Sequence, residues 1–104
     1  MAKSIGVIRL EYNKAIRQAE ELERVASELR NLANSDLDGC LGRISTNWTG
    51  VNATEYVRKG RKLKQKMLDS ATNLTKVART IRTIAKNTRD ADLRAREIAL
   101  SSGQ

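Results

Sequence analysis

The sequence predicts an all-α protein: an antiparallel two-helix hairpin expected to pair into a four-helix bundle dimer. Two observations lead there. Apolar residues recur at helical spacing through both halves, and the strongest turn signal sits between them. Composition agrees. The 104 residues hold no Phe, Pro or His, and aromatics are 3% against 39% hydrophobic. Leu, Ile, Val and Ala fill that quota. Leu and Ala favour helix, and the absence of Pro removes its strongest breaker. A β-sandwich of this length would want more aromatics and turn residues.

The expected organisation is one domain, 1–104, with helix one over about 5–44, a turn over about 45–52 and helix two over about 53–100. In helix one, Ile8, Ala15, Leu22 and Leu29 recur every seven residues. Tyr12, Ala19, Ala26 and Ala33 each follow four residues later. Such spacing puts all of them on one face. Alternation of large residues with Ala lets a neighbouring helix come close. Ile16, Val25 and Leu32 widen the stripe to bundle width. It weakens through Leu37, Leu41 and Ile44. Gly39 and Gly42 fall there, so the first helix is expected to fray or end within Asp36–Ser45.

Thr46-Asn47-Trp48-Thr49-Gly50-Val51-Asn52 is the turn signal. Asn52 followed by Glu55 reads as a capping box, and Val51 with Tyr56 as its hydrophobic staple. Helix two should then start near Ala53. Its stripe runs through Tyr56, Gly60, Leu63, Met67, Leu74, Val77, Ile81 and Ile84 to Ile98, with Ser70 and Ala71 bridging the longest step. Helices of about 40 residues span about 60 Å. Joined by a short turn they fold back antiparallel. A lone pair buries only one seam, so stripes this wide look for further helices. The residues expected at such an interface are Tyr12, Leu22, Leu29, Tyr56, Leu63, Met67, Leu74 and Ile81.

Charge is lopsided. The net is +8. Residues 1–50 hold seven bases (Lys3, Arg9, Lys14, Arg17, Arg24, Arg30, Arg43) and seven acids (Glu11, Glu20, Glu21, Glu23, Glu28, Asp36, Asp38), so the second half carries the whole excess. Its densest stretch is Arg58, Lys59, Arg61, Lys62, Lys64 and Lys66. That asymmetry points to an acidic partner, nucleic acid or an anionic surface. A solvated helix face is the plainest account. An acidic protein comes next, and nucleic acid third, because the run has no aromatic stacking platform.

Catalysis finds no footing: there is no His, no metal-ligand cluster and no P-loop spacing around Gly39 and Gly42. No cofactor is expected. Glu20, Glu21 and Glu23 lie in a charged helical segment, with Arg24 one turn after Glu20. The single Cys40 excludes an internal disulfide and is expected half-buried near a helix end. No cleavable signal peptide and no stretch of about 20 apolar residues is present, so export would need another route.

Length, a central Trp48-Thr49-Gly50, a small residue at Ala53 and an aromatic at Tyr56 together resemble the WXG-100 family of type VII secretion proteins. The likeness covers nearly the whole chain, and its specificity lies in the combination. It implies a helical hairpin pairing as a homodimer or heterodimer, with a related chain or the helical leader of a toxin. It implies secretion or cell-surface delivery through a membrane-bound ATPase, as effector or as co-exported partner. Under it, Trp48 and Gly50 belong to the recognition turn. The family's second element, Tyr-x-x-x-Asp/Glu near the end of helix two, is matched only at Asp92. Thr88 stands where the Tyr would be, which implies a chain carried out by a partner that has the Tyr. The rival readings are a basic intracellular helical protein that binds nucleic acid and a generic coiled-coil adaptor.

Overall fold

The computed structural model describes residues 2–102, and all its regular structure is helical. Three α-helices occur: α1 (Ile5–Asn31), α2 (Asp38–Asn47) and α3 (Val51–Ser102), with a π-helical segment, Leu32–Leu37, between α1 and α2. Helix thus runs without a break from 5 to 47, and resumes at 51. Ser4 starts α1: its hydroxyl accepts from the Val7 amide at 3.2 Å, the N-cap arrangement. No helix is long and apolar enough to cross a membrane among the described residues.

The chain divides into two compact units. One joins residues up to Leu22 with those from Lys76 onward; the other is Glu23–Thr75.

In the first unit the N-terminal segment of α1 lies along the C-terminal segment of α3. Ile8, Ala19, Ala78 and Ala85 are its buried residues. The Lys3 ammonium reaches Glu11 at 2.7 Å and Asp92 at 3.4 Å. The Arg89 guanidinium lies over the Tyr12 ring, 4.4 Å from its centre. Leu22 and Ile81 are half-buried.

In the second unit the buried residues are Ala26, Ala33, Leu41, Ala53 and Ala71. Arg30 crosses to α3, donating to the Thr75 hydroxyl at 2.9 Å and the Ala71 carbonyl at 3.4 Å. Lys64 pairs with Asp38 at 3.0 Å. Leu41 packs where a side chain on Gly60 would be. These pairs join ever later residues of the first helical run to ever earlier ones of α3, so the paired segments run antiparallel within this unit.

Among the described residues, seven of the nine in the core are alanines, and only Ile8 and Leu41 are large. Small side chains let the backbones approach closely. They also bury little: an alanine methyl contributes on the order of 0.8 kcal/mol.

The first helix does not end within Asp36–Ser45 as the glycines suggested; α2 continues to Asn47. The reason lies in the π segment. There the Asp38 amide donates to the Ala33 carbonyl, five residues back. The wider turn takes in one extra residue and moves the seam by one place. After Ala19, Ala26 and Ala33, strict sevens would bring Cys40 inward. Instead Leu41 is buried and Cys40 is exposed, not half-buried. Packing of Leu41 beside Gly60 then holds a stretch that propensity alone would leave weak.

Candidate functional site

Within the second unit the connection between α2 and α3 is short. The Trp48 amide still donates to the Ile44 carbonyl at 2.9 Å, but the backbone there is extended (φ −106°, ψ 142°), which ends α2. Gly50 has φ 102°, a conformation that glycine adopts without a Cβ penalty. Its carbonyl accepts from the Thr54 amide at 3.3 Å, so Gly50 itself opens α3. The turn is therefore tighter than the expected 45–52, and Asn52 lies inside the helix rather than capping it. The staple is absent too. Val51 is 85% exposed, and Tyr56 meets Trp48 instead, edge to face with centroids 6.2 Å apart. Glu55 pairs forward with Arg58, not back to the helix start.

Trp48 is 55% exposed and Tyr56 61%. A shallow hollow of about 360 Å³ opens beside them, lined by Ser45, Trp48, Thr49, Gly50, Ala53 and Val57 among others. The sole indole is thus presented at the surface, braced on one side by Tyr56.

The basic run follows directly. Arg58, Lys59, Arg61, Lys62 and Lys66 are exposed; Lys64 is half-buried against Asp38. Hydrogen bonds from Arg58 hold the Glu55 carboxyl below its ordinary range, and the same bonds raise Arg58. Lys59 and Lys62 add to the lowering of Glu55 by charge alone.

The residues expected at a partner interface fall into two groups. Tyr12, Leu22 and Ile81 in the first unit, and Leu29, Met67 and Leu74 in the second, are half-buried at the edges of the alanine seam. Tyr56 and Leu63 stand clear of it, Leu63 at 52% exposure. In the first unit Val77, Ile84 and Ile98 are also exposed, Ile84 and Ile98 to about 60% or just under. What the periodicity missed is that Ala71, Ala78 and Ala85, not the large stripe residues, make the α3 side of the seam. Their own spacing of seven, matching Ala19, Ala26 and Ala33, was the available signal.

Asp92 lies in the first unit, half-buried and bonded to Lys3. With Glu11 first and Asp92 second, these carboxylates raise the Lys3 ammonium above its usual value. A groove of about 200 Å³ is lined there by Ile8, Tyr12, Ile84, Thr88 and Asp92 among others. Thr88 and Asp92 therefore share a groove with Tyr12 from α1. No three His, Cys, Asp or Glu side chains converge as a metal site among the described residues.

The chain matches no known family model, no curated protein and no solved structure.

Proposed function

We propose that the chain is a non-enzymatic helix-packing protein of the WXG-100 kind, a helical hairpin that pairs with a second helical chain into a four-helix bundle and is exported by a type VII secretion system. It acts there as effector or as the co-exported partner of a larger toxin. One observation carries the packing half of this reading. Leu63, Val77, Ile84 and Ile98 are left exposed on α3 while the inner seam is already filled by alanines. An alanine inner seam beside a greasy outer row is what a helix awaiting another helix needs, because covering the exposed half of each such side chain adds about 1 kcal/mol.

Charge bears on the partner. Residues 51–104 carry the entire +8, so packing α3 against its own copy would set like charges together. A chain with carboxylates beside its apolar seam suits the site better. The export half rests on the Trp48-Thr49-Gly50 turn with its exposed indole. It rests also on Asp92, beside which Tyr12 supplies an aromatic ring that the local sequence at Thr88 lacks.

The test is secretion from the native host, with and without the genes adjacent to this one. The reading requires export to depend on Trp48, Gly50 and a co-expressed helical partner. Efficient release of a Trp48→Ala, Gly50→Ala double variant, or of the chain with the secretion ATPase deleted, contradicts it.

A second reading has its own observation. Lys59, Arg61, Lys62 and Lys66 stand exposed together on one helix, a surface suited to phosphates. Tight duplex-DNA binding that falls steeply with salt, together with retention in the cytoplasm, would favour it.

A further inference from the structure

The end of the second unit around Trp48 combines three features that the packing role does not use. First, it is greasy and open: Val51 is the most exposed large hydrophobic residue among those described, at 85%, with Tyr56 at 61% and Trp48 at 55% nearby. Second, its turn carries no negative charge. From Cys40 to Thr54 there is no Asp or Glu. Third, bases flank it in sequence. Between Cys40 and Leu63 stand Arg43, Arg58, Lys59, Arg61 and Lys62 against Glu55 alone, a net of 5 − 1 = +4. Glu55 is itself bonded to Arg58.

We infer that this end is a docking tip for an anionic lipid surface. Trp and Tyr settle at the level of lipid headgroups, where the ring is half in and half out of water. Val51 at the helix start would reach the acyl boundary. Arg58, Lys59 and Lys62 lie about 10, 12 and 16 Å along the axis from Val51 at 1.5 Å per residue, so Arg58 and Lys59 stand about a Debye length from the lipid phosphates and Lys62 somewhat beyond it. Long Arg and Lys side chains extend toward those phosphates while their stems stay on the helix. Two details select lipid over nucleic acid. Trp48 meets Tyr56 edge to face, so the pair offers no flat platform for stacking bases. An aliphatic side chain as exposed as Val51 has nothing to read on a duplex, but gains by entering a bilayer. The inference is independent of the export reading, because the isolated chain suffices to test it.

Trp48 is the only Trp, so the protein carries its own probe. The purified full chain is titrated with vesicles of phosphatidylcholine alone and of phosphatidylcholine with about one third phosphatidylglycerol. The emission of Trp48, its quenching by brominated lipid and co-flotation are read together. The expected result is a blue shift, with partitioning about tenfold or more stronger to the anionic vesicles and lost at high salt. Val51→Asp and a Lys59→Glu, Lys62→Glu double variant, both at exposed positions, should each weaken partitioning about tenfold with helicity by circular dichroism unchanged. No blue shift with anionic vesicles overturns the inference. So does a shift that neither variant reduces, or duplex DNA bound by a protein that ignores both vesicles.

Discussion

The side chain of Leu41 fills the space that a methyl group on Gly60 would occupy: a Cβ there overlaps its Cδ2 and comes within 3.0 Å of Cδ1. Leu41 is 5% exposed, so it has little room to move aside. Helix propensity by itself favours Gly60→Ala by about 1 kcal/mol. Overpacking a filled site costs about 1–3 kcal/mol and outweighs that gain. Gly42 is the control, because a Cβ there meets nothing within 4 Å. Urea melts should show Gly60→Ala less stable and Gly42→Ala more stable than the parent. Equal stabilisation by both would mean that α2 and α3 do not meet at Leu41.

Gly50 tests the turn. Its φ of 102° is unfavourable for any residue with a Cβ. Gly50→Ala should lose about 1–2 kcal/mol of stability, while Thr49→Ala, one residue earlier, should change little. The same melts separate the two. A neutral Gly50→Ala would show that the turn is not held in this conformation.

Helix in both halves, and the turn at Trp48 to Gly50, were readable in the sequence because spacing and turn chemistry are local. The α1 side of the inner seam was readable too, in Ala19, Ala26 and Ala33. Its α3 side was not, because large residues such as Leu63 and Ile84 dominate the hydrophobic pattern over Ala78 and Ala85. The register shift at the π segment was partly readable: the stripe already stepped by fours from Ala33 to Leu37 and Leu41, and Leu41 is the buried residue, whereas the half-buried place expected for Cys40 was not met. The capping box failed because Asn52 and Glu55 have the right spacing, but Gly50 opens the helix two residues sooner. The basic run was obvious as composition; which of its members hold Asp38 and Glu55 was not.

Glu55 and Arg58 give a pH signature. The carboxyl is held below its ordinary 4.5, first by the hydrogen bonds from Arg58. A group depressed in the folded state stabilises above its unfolded value and loses that contribution as pH falls through the folded one. Stability should therefore begin to drop just below pH 4.5. Carboxyl-carbon NMR titration should find Glu55 below the ordinary value, and Arg58→Ala should move it back up. A Glu55 that titrates identically with and without Arg58 contradicts the pairing.

Arg30 ties the first helical run to α3 in the second unit through Thr75 and Ala71. Its bonds are part-buried, and their loss together with the packed stem should cost about 1–2 kcal/mol in Arg30→Ala. Thr75→Val removes the hydroxyl that accepts from Arg30 and donates to the Ala71 carbonyl at 3.0 Å, but leaves the bond from Arg30 to that carbonyl, and should cost about half as much. Chemical denaturation of both variants and the double variant gives the coupling. Full additivity would mean that the two residues do not touch.

The proposed cover for the outer row of α3 is another helical chain. Sedimentation equilibrium of the protein co-expressed with the product of its neighbouring gene reads this directly. The account predicts a stable complex of two chains, and its loss when Leu63 and Ile84 are both changed to Glu while helicity is kept. A chain that sediments as a monomer across the concentration range, beside an unassociated neighbour, or a complex indifferent to Leu63→Glu with Ile84→Glu, would contradict it.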